Sequence, residues 1–231
     1  MSMKLSSPKP RLLENASPQS VDHSVETNSV IRKPLHHEEP EIGADEDVHV
    51  HPKETVQRIL GINHPLRQPV TKHCDENVGN YTMRLVRAVR SSDTKELREM
   101  LNDDRENDCG DVSFEACNNQ GESLLHLACR RSNLDTIRFL VLDAGVDVHV
   151  RDDMGRSILH DLFWRPEPAT EHLELLLSIM DPSFLLLEDS RGHTPLDYSR
   201  QENWKEWNSF FHSHKPLLQK GTQRDLTDII E

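Results

Sequence analysis

The sequence predicts an all-α fold, a solenoid of about four stacked helix–turn–helix repeats with a disordered N-terminal arm and a short C-terminal tail. Three observations carry that expectation. A glycine-headed motif occurs three times, as Gly121-Glu122-Ser123-Leu124-Leu125-His126-Leu127-Ala128, Gly155-Arg156-Ser157-Ile158-Leu159-His160-Asp161-Leu162 and Gly192-His193-Thr194-Pro195-Leu196-Asp197-Tyr198-Ser199. The glycines stand 34 and then 37 residues apart, and self-similarity at such a period marks stacked units. Apolar residues recur at helical spacing behind each glycine. All eleven aromatic residues lie between Tyr81 and Phe211, so the core is expected there too.

Residues 1–79 contain no Phe, Trp or Tyr but hold eight of the thirteen prolines and seven of the fourteen histidines. Such a stretch buries too little apolar surface to offset chain entropy, which makes 1–79 a largely disordered Pro/His-rich arm. Only Pro52 to Ile62 has helical character there, with Val56, Ile59 and Leu60 on one face. It reads either as a transient helix or as a partner-binding motif that folds on contact.

The helical domain is assigned to residues 80–212, with repeats near 80–117, 118–151, 152–188 and 189–212. The first pairs a helix at Met83–Arg90 with one at Thr94–Leu101, then a loop at Asn102–Asp108 and a finger around Val112–Phe114. It lacks the opening glycine and the histidine, as a terminal cap can. In the second, Gly121 suits a turn with positive φ and Ser123 can cap the helix that follows. A second helix covers Asn133–Val141, Gly145 stops it, and Val146–Arg151 alternates as a short finger. The third lengthens its inter-helix turn at Arg165–Ala169, places a helix at Glu171–Met180 and ends in an apolar finger, Phe184–Leu187. The fourth starts with Pro195 at the first helical position and ends in the aromatic run Trp204–Phe211, expected to cover the open end of the stack. Residues 213–231 read as a flexible tail.

The order helix, turn, helix, finger, glycine resembles the ankyrin-repeat family, whose pattern runs Gly-x-Thr-Pro-Leu-His-x-Ala and closes on Gly-Ala-Asp-Val-Asn. Here Gly145-Val146-Asp147-Val148-His149 stands at the close, ten residues before Gly155. The resemblance is strong over 121–155, good over 185–211 and weaker over 80–110. It implies a non-catalytic adaptor or scaffold that binds a partner protein through its finger tips and the concave face of its inner helices. It also implies a structural role for His126 and His160, which would bond across the helix start and to the neighbouring turn. Asp197 replaces that histidine in the last copy, where no following unit would need the bond.

Carried onto this chain, the tips are Asn119, Gln120 and Glu122, then Asp153, Met154 and Arg156, then Ser190, Arg191 and His193. The groove adds Arg130, Arg131, Trp164 and Arg165. Exposed Trp and Arg are enriched among interface hot spots, and a basic, aromatic patch would suit a partner with an acidic surface. The alternative buries Trp164 against the extended turn and leaves the arginines to solvate the helix.

The net charge of −13 divides into −3 over residues 1–79 (nine Lys/Arg, twelve Asp/Glu) and −10 over the rest (eighteen, twenty-eight). A domain that acidic repels phosphate backbones, which excludes nucleic acid as the expected partner. No nucleophile elbow, phosphate loop or His-Glu-x-x-His pattern is present, and Ser123 and His126 are already assigned to the repeat, so no enzyme, catalytic residue or cofactor is expected. His49-Val50-His51, with Asp45-Glu46-Asp47 and His36-His37 nearby, offers metal-ligand types without the spacing of a closed site. From this comes the competing function: a metal-dependent or phosphorylation-controlled regulator acting through the arm, with Ser7-Pro8 and Ser17-Pro18 as acceptors.

The four cysteines form no Cys-x-x-Cys pair, which suggests free thiols in a reducing compartment, with Cys129 packed in the core. No apolar run approaches the roughly 18 residues of a membrane span, and no secretory pattern opens the chain. A cytoplasmic or nuclear protein without a membrane partner is the expectation.

Overall fold

The computed structural model describes residues 50–68, 81–107, 112–131 and 133–222. These form helices and turns, with only isolated β-bridges among the described residues. Helix α1 covers Pro52–Leu60, α2 Met83–Ser91, α3 Thr94–Asn107, α4 Leu124–Arg131 and α5 Leu134–Arg138. Helix α6 covers Ile158–Phe163, α7 Thr170–Leu177, α8 Trp204–Ser213 and α9 Lys215–Thr222. Short 3₁₀ turns lie at Pro182–Leu186, Pro195–Tyr198 and Gln201–Asn203.

Local chemistry sets the helix ends. Thr82 Oγ1 accepts the Leu85 amide to start α2, and Asn133 Oδ1 accepts the Thr136 amide at 2.7 Å to start α5. Helix α5 widens into a π turn at Phe139–Asp143, and Gly145 follows with a φ of +71°. Helix α3 runs on through most of the stretch read as a loop, to Asn107, and the second helix of the third unit starts and ends earlier than expected.

Helices α2, α4 and α6 and the Pro195–Tyr198 turn pack in succession as an inner row. Behind them α3 lies on α2, α5 on α4, and α7 on α5. Leu85, Leu125, Leu159 and Leu196, which hold one recurring place in the sequence, are all buried in this row. The aromatic run of α8 turns Trp207, Phe210 and Phe211 inward, with Trp207 4.5 Å from Phe163 between ring centroids.

Within the arm expected to be largely disordered, residues 50–68 are folded, and the helical character read at Pro52 to Ile62 is a packed helix and not a transient one. His51 caps α1 by accepting the Lys53 amide, Pro52 opens the helix, and Gly61 closes it at φ +69°. The helix packs on α8, α9 and the 3₁₀ turns at Pro182–Leu186 and Pro195–Tyr198, with Val56 fully buried. Farther on, Leu66 pairs in parallel with Leu187, and the Arg67 guanidinium meets Glu188. Residues 215–222, read as tail, form α9 and pack on α1 and on Pro182–Leu186. Helices α1 and α9 together cover the apolar Leu185-Leu186-Leu187 finger, which is fully buried for that reason. Thus α1 and α9 join α8 in covering this end of the row.

Cys129 is a buried free thiol whose pKa is pushed up by desolvation. Cys117 is disulfide-bonded, against the expectation of free thiols; pairing follows distance in space, which spacing along the chain does not report. Residues 1–49, including Ser7, Ser17, His36, His37 and His49, lie outside the described residues.

Candidate functional site

Three copies of one turn build the tips. Asn118 Oδ1 accepts the amides of Gln120 and Glu122, Asp152 Oδ1 those of Met154 and Arg156, and Asp189 Oδ1 those of Arg191 and His193. This is the two-residues-on bonding that Asn and Asp favour, closed each time by a glycine of positive φ. Successive tips join through backbone bonds, Asp153 N to Gln120 O at 3.0 Å and Ser190 N to Met154 O at 2.8 Å. The tip side chains are therefore held in register.

Below each turn the recurring histidine ties one copy to the next. His126 Nδ1 accepts the Ser123 amide at 3.2 Å, and its Nε2–H donates to the Arg156 carbonyl at 3.1 Å. His160 does the same with the Ser157 amide at 2.9 Å and the His193 carbonyl at 3.2 Å. The carbonyl partner fixes Nε2 as the protonated nitrogen. Burial lowers the His160 pKa to about 4, although the His193 carbonyl bond works against that shift. In the last copy Asp197 Oδ2 accepts the Thr194 amide and hydroxyl, at 2.7 and 2.8 Å. Its second duty is the surprise: Lys53 of α1 reaches it at 2.9 Å, so a following unit does claim this residue.

The inner face repeats a cross-copy contact with changed chemistry. Arg130, nine residues after its glycine, pairs with Asp161, six after the next glycine, with Nε to Oδ1 at 3.0 Å. One copy on, the same two places hold Trp164 and Tyr198, whose rings lie 5.5 Å apart with planes inclined by 31°. Trp164 is 57% exposed, which settles against its burial under the extended turn. Tyr198 is held from below, its hydroxyl donating to Asp189 Oδ2 at 2.6 Å; burial and that carboxylate push its pKa up to about 12. His193 stands edge-on to the same ring at 6.0 Å.

The expected basic character is reduced by internal pairing. Arg130 binds both Asp161 and Glu122, and Arg156 binds both Asp152 and Glu122. Burial opposes ionisation of Glu122, but hydrogen bonds from Arg130 and Asn118 and the two guanidinium charges hold its pKa below the usual carboxylate range. Two of these pairings, Arg130 with Asp161 and Arg156 with Glu122, join neighbouring copies and leave no mark in the local sequence. Arg131 and Arg191 are exposed, while Arg165 is half-buried, and desolvation lowers its pKa. At the tips Asn119, Gln120, Asp153, Met154 and His193 are exposed. Tyr198, Asp161, Asp152 and Asp189 were not among the expected residues, though their places relative to the glycines would have found them.

Among the described residues no group of three His, Cys, Asp or Glu side chains is arranged to hold a metal ion. His51 is engaged as the cap of α1, with Nε2 3.9 Å from Asp197 and its ring edge-on to Trp204. No helix among the described residues is long and apolar enough to cross a membrane.

The ankyrin-repeat family model matches residues 120–153, the stretch that contains the best-preserved copy. Among curated proteins, SMC5-SMC6 complex localization factor protein 1 of Bos taurus is 28% identical over 127 residues, which cover 41% of this chain and 12% of that protein. The chain therefore spans a small fraction of the length of the relative it resembles.

Proposed function

With an ankyrin repeat at residues 120–153, we propose that this protein is a non-catalytic adaptor of about four such repeats that docks a partner protein on its inner face. The carrying observation is the exposed Trp164 lying against the Tyr198 ring, centroids 5.5 Å apart and planes tilted by 31°. A rigid aromatic pair across two units gives a large contact area at little entropic cost, and Trp and Tyr dominate interface hot spots. Arg191 and Arg131 flank the inner face as exposed cations, so an acidic surface on the partner would add steering more than affinity. The partner takes its anchor from the aromatic pair and its orientation from the tip residues. The bovine relative is named for localizing a complex, and recruitment of this kind is the role proposed for the present chain, inside the cell.

Trp164→Ala tests this directly. A partner captured with the unaltered chain is expected to bind the variant at least tenfold more weakly, as removal of a hot spot of about 2 kcal/mol or more requires. Unchanged binding by a variant with unchanged helical signal moves the site away from the inner face. Arg131→Glu in the same chain reports the charge contribution as a changed salt dependence of association.

A further inference from the structure

The end of the inner row opposite α2 is built unlike any join within it. Between copies, a histidine donates Nε2–H to a backbone carbonyl of the next unit. At the end that histidine is an aspartate, which cannot donate and instead takes the Lys53 ammonium of α1. Asn208 of α8 adds a bond from Nδ2 to the Val50 carbonyl at 2.8 Å, just before the cap of α1. Past the helix, Leu66 adds itself to the last finger as a strand does, with its amide on the Leu186 carbonyl and its carbonyl accepting the Glu188 amide, both at 2.8 Å. Arg151 then closes over the Gln68 carbonyl at 3.0 Å while also holding the carbonyls of Gly155 and Glu188.

These contacts have the composition of a peptide-binding interface. One apolar anchor, Val56, is fully buried, with Ile59, Leu60 and Ile62 partly covered around it. Backbone bonds and the charge pairs Lys53–Asp197 and Arg67–Glu188 supply the rest, as in helix-in-groove and strand-addition recognition. The segment brings its own fold signals, since His51, Pro52 and Gly61 start and stop the helix without help from the rest of the chain.

We propose that this end face is a receptor for a short helix carrying Pro-Lys-x-x-Val, and that residues 50–68 are its ligand, held in cis and exchangeable. A connection of only twelve residues, 69–80, keeps the segment at an effective concentration on the order of millimolar. A free peptide or a second copy of the chain must compete against that value, so the site is closed in the isolated chain and opens to a rival only when the tether is relieved.

The test relieves it. A protease site placed within 69–80 of the full chain is cut, and a labelled peptide of residues 50–68 is added. The expected result is saturable uptake of the label and release of the N-terminal fragment, with the helical signal of the remainder unchanged. Peptides carrying Lys53→Glu or Val56→Asp are expected to bind at least tenfold more weakly to the same cut chain. An Asp197→Lys chain is expected to recover the Lys53→Glu peptide. Three results overturn the proposal: the cut chain unfolds, the fragment stays until denaturation, or the altered peptides bind as well as the natural one. Because the peptide variants are tested on an unaltered receptor, the result does not depend on the folding of Asp197→Lys. Loss of partner binding by Trp164→Ala has no bearing on it.

Discussion

Burial decides the state of His160. With a folded pKa of about 4 against an ordinary 6.5, the fold prefers the neutral ring. Its contribution to stability is therefore present in full above pH 6.5 and is lost as pH falls from 6.5 to about 4, a gap worth roughly 3 kcal/mol. Urea midpoints measured between pH 7 and 4 are expected to fall across this window. In His160→Gln they should start lower and fall less. Equal slopes in the two proteins would show that other groups carry the acid sensitivity. The role of this histidine was legible through the family resemblance, since Ser157 is near it in sequence while the His193 carbonyl and the Tyr198 ring lie in the next copy. Asp197 sits at the same place and was read as idle, since its decisive partner, Lys53, is 144 residues away.

At the scale of the element, the turn is the part most fully legible. It depends on a glycine with positive φ and an Asn or Asp three residues earlier, both visible in the chain. Two of its glycines make different demands. At Gly192 an added Cβ meets nothing within 4 Å, so Gly192→Ala is expected to cost only the left-handed backbone penalty, about 1–2 kcal/mol. At Gly121 the same Cβ would come within 2.8 Å of the Asp153 carboxylate and 3.0 Å of its backbone nitrogen, against the neighbouring tip. Gly121→Ala is therefore expected to cost about 1–2 kcal/mol more, from tip displacement added to the backbone penalty, read as a lower denaturant midpoint. Equal costs would mean that the tips are not locked together. The join between copies was less legible. Arg130 with Asp161 and Trp164 with Tyr198 fill one geometric position, but an ionic pair and an aromatic pair share no residue type by which the chain betrays them. The same limit explains why Arg130 was expected to offer free positive charge.

Across the whole molecule, composition misled for a physical reason. Averaged over residues 1–79, the absence of aromatics describes a chain without a core, yet nineteen of those residues, 50–68, need only borrow one. The signal that could have found the loan was the apolar Leu185-Leu186-Leu187 finger, which needs a cover that its own copy does not provide. In the intact chain, limited trypsin digestion is expected to spare the bond after Arg58, inside α1, and to cut it severalfold faster once Lys53→Glu weakens the join. Equal cutting rates would show that the ion pair does not hold the helix down. The long span of this join also sets an order of events during synthesis. Helix α1 is made before its seat: Asn208, which holds Val50, is translated 158 residues later. At about 5–20 residues per second that is a wait of roughly 8–30 s, during which the inner row can form from near neighbours while α1 lacks its contact with α8. Completion of the end face must therefore wait for α8 and α9, and a nascent chain stalled before residue 208 holds α1 without the cover that those helices provide.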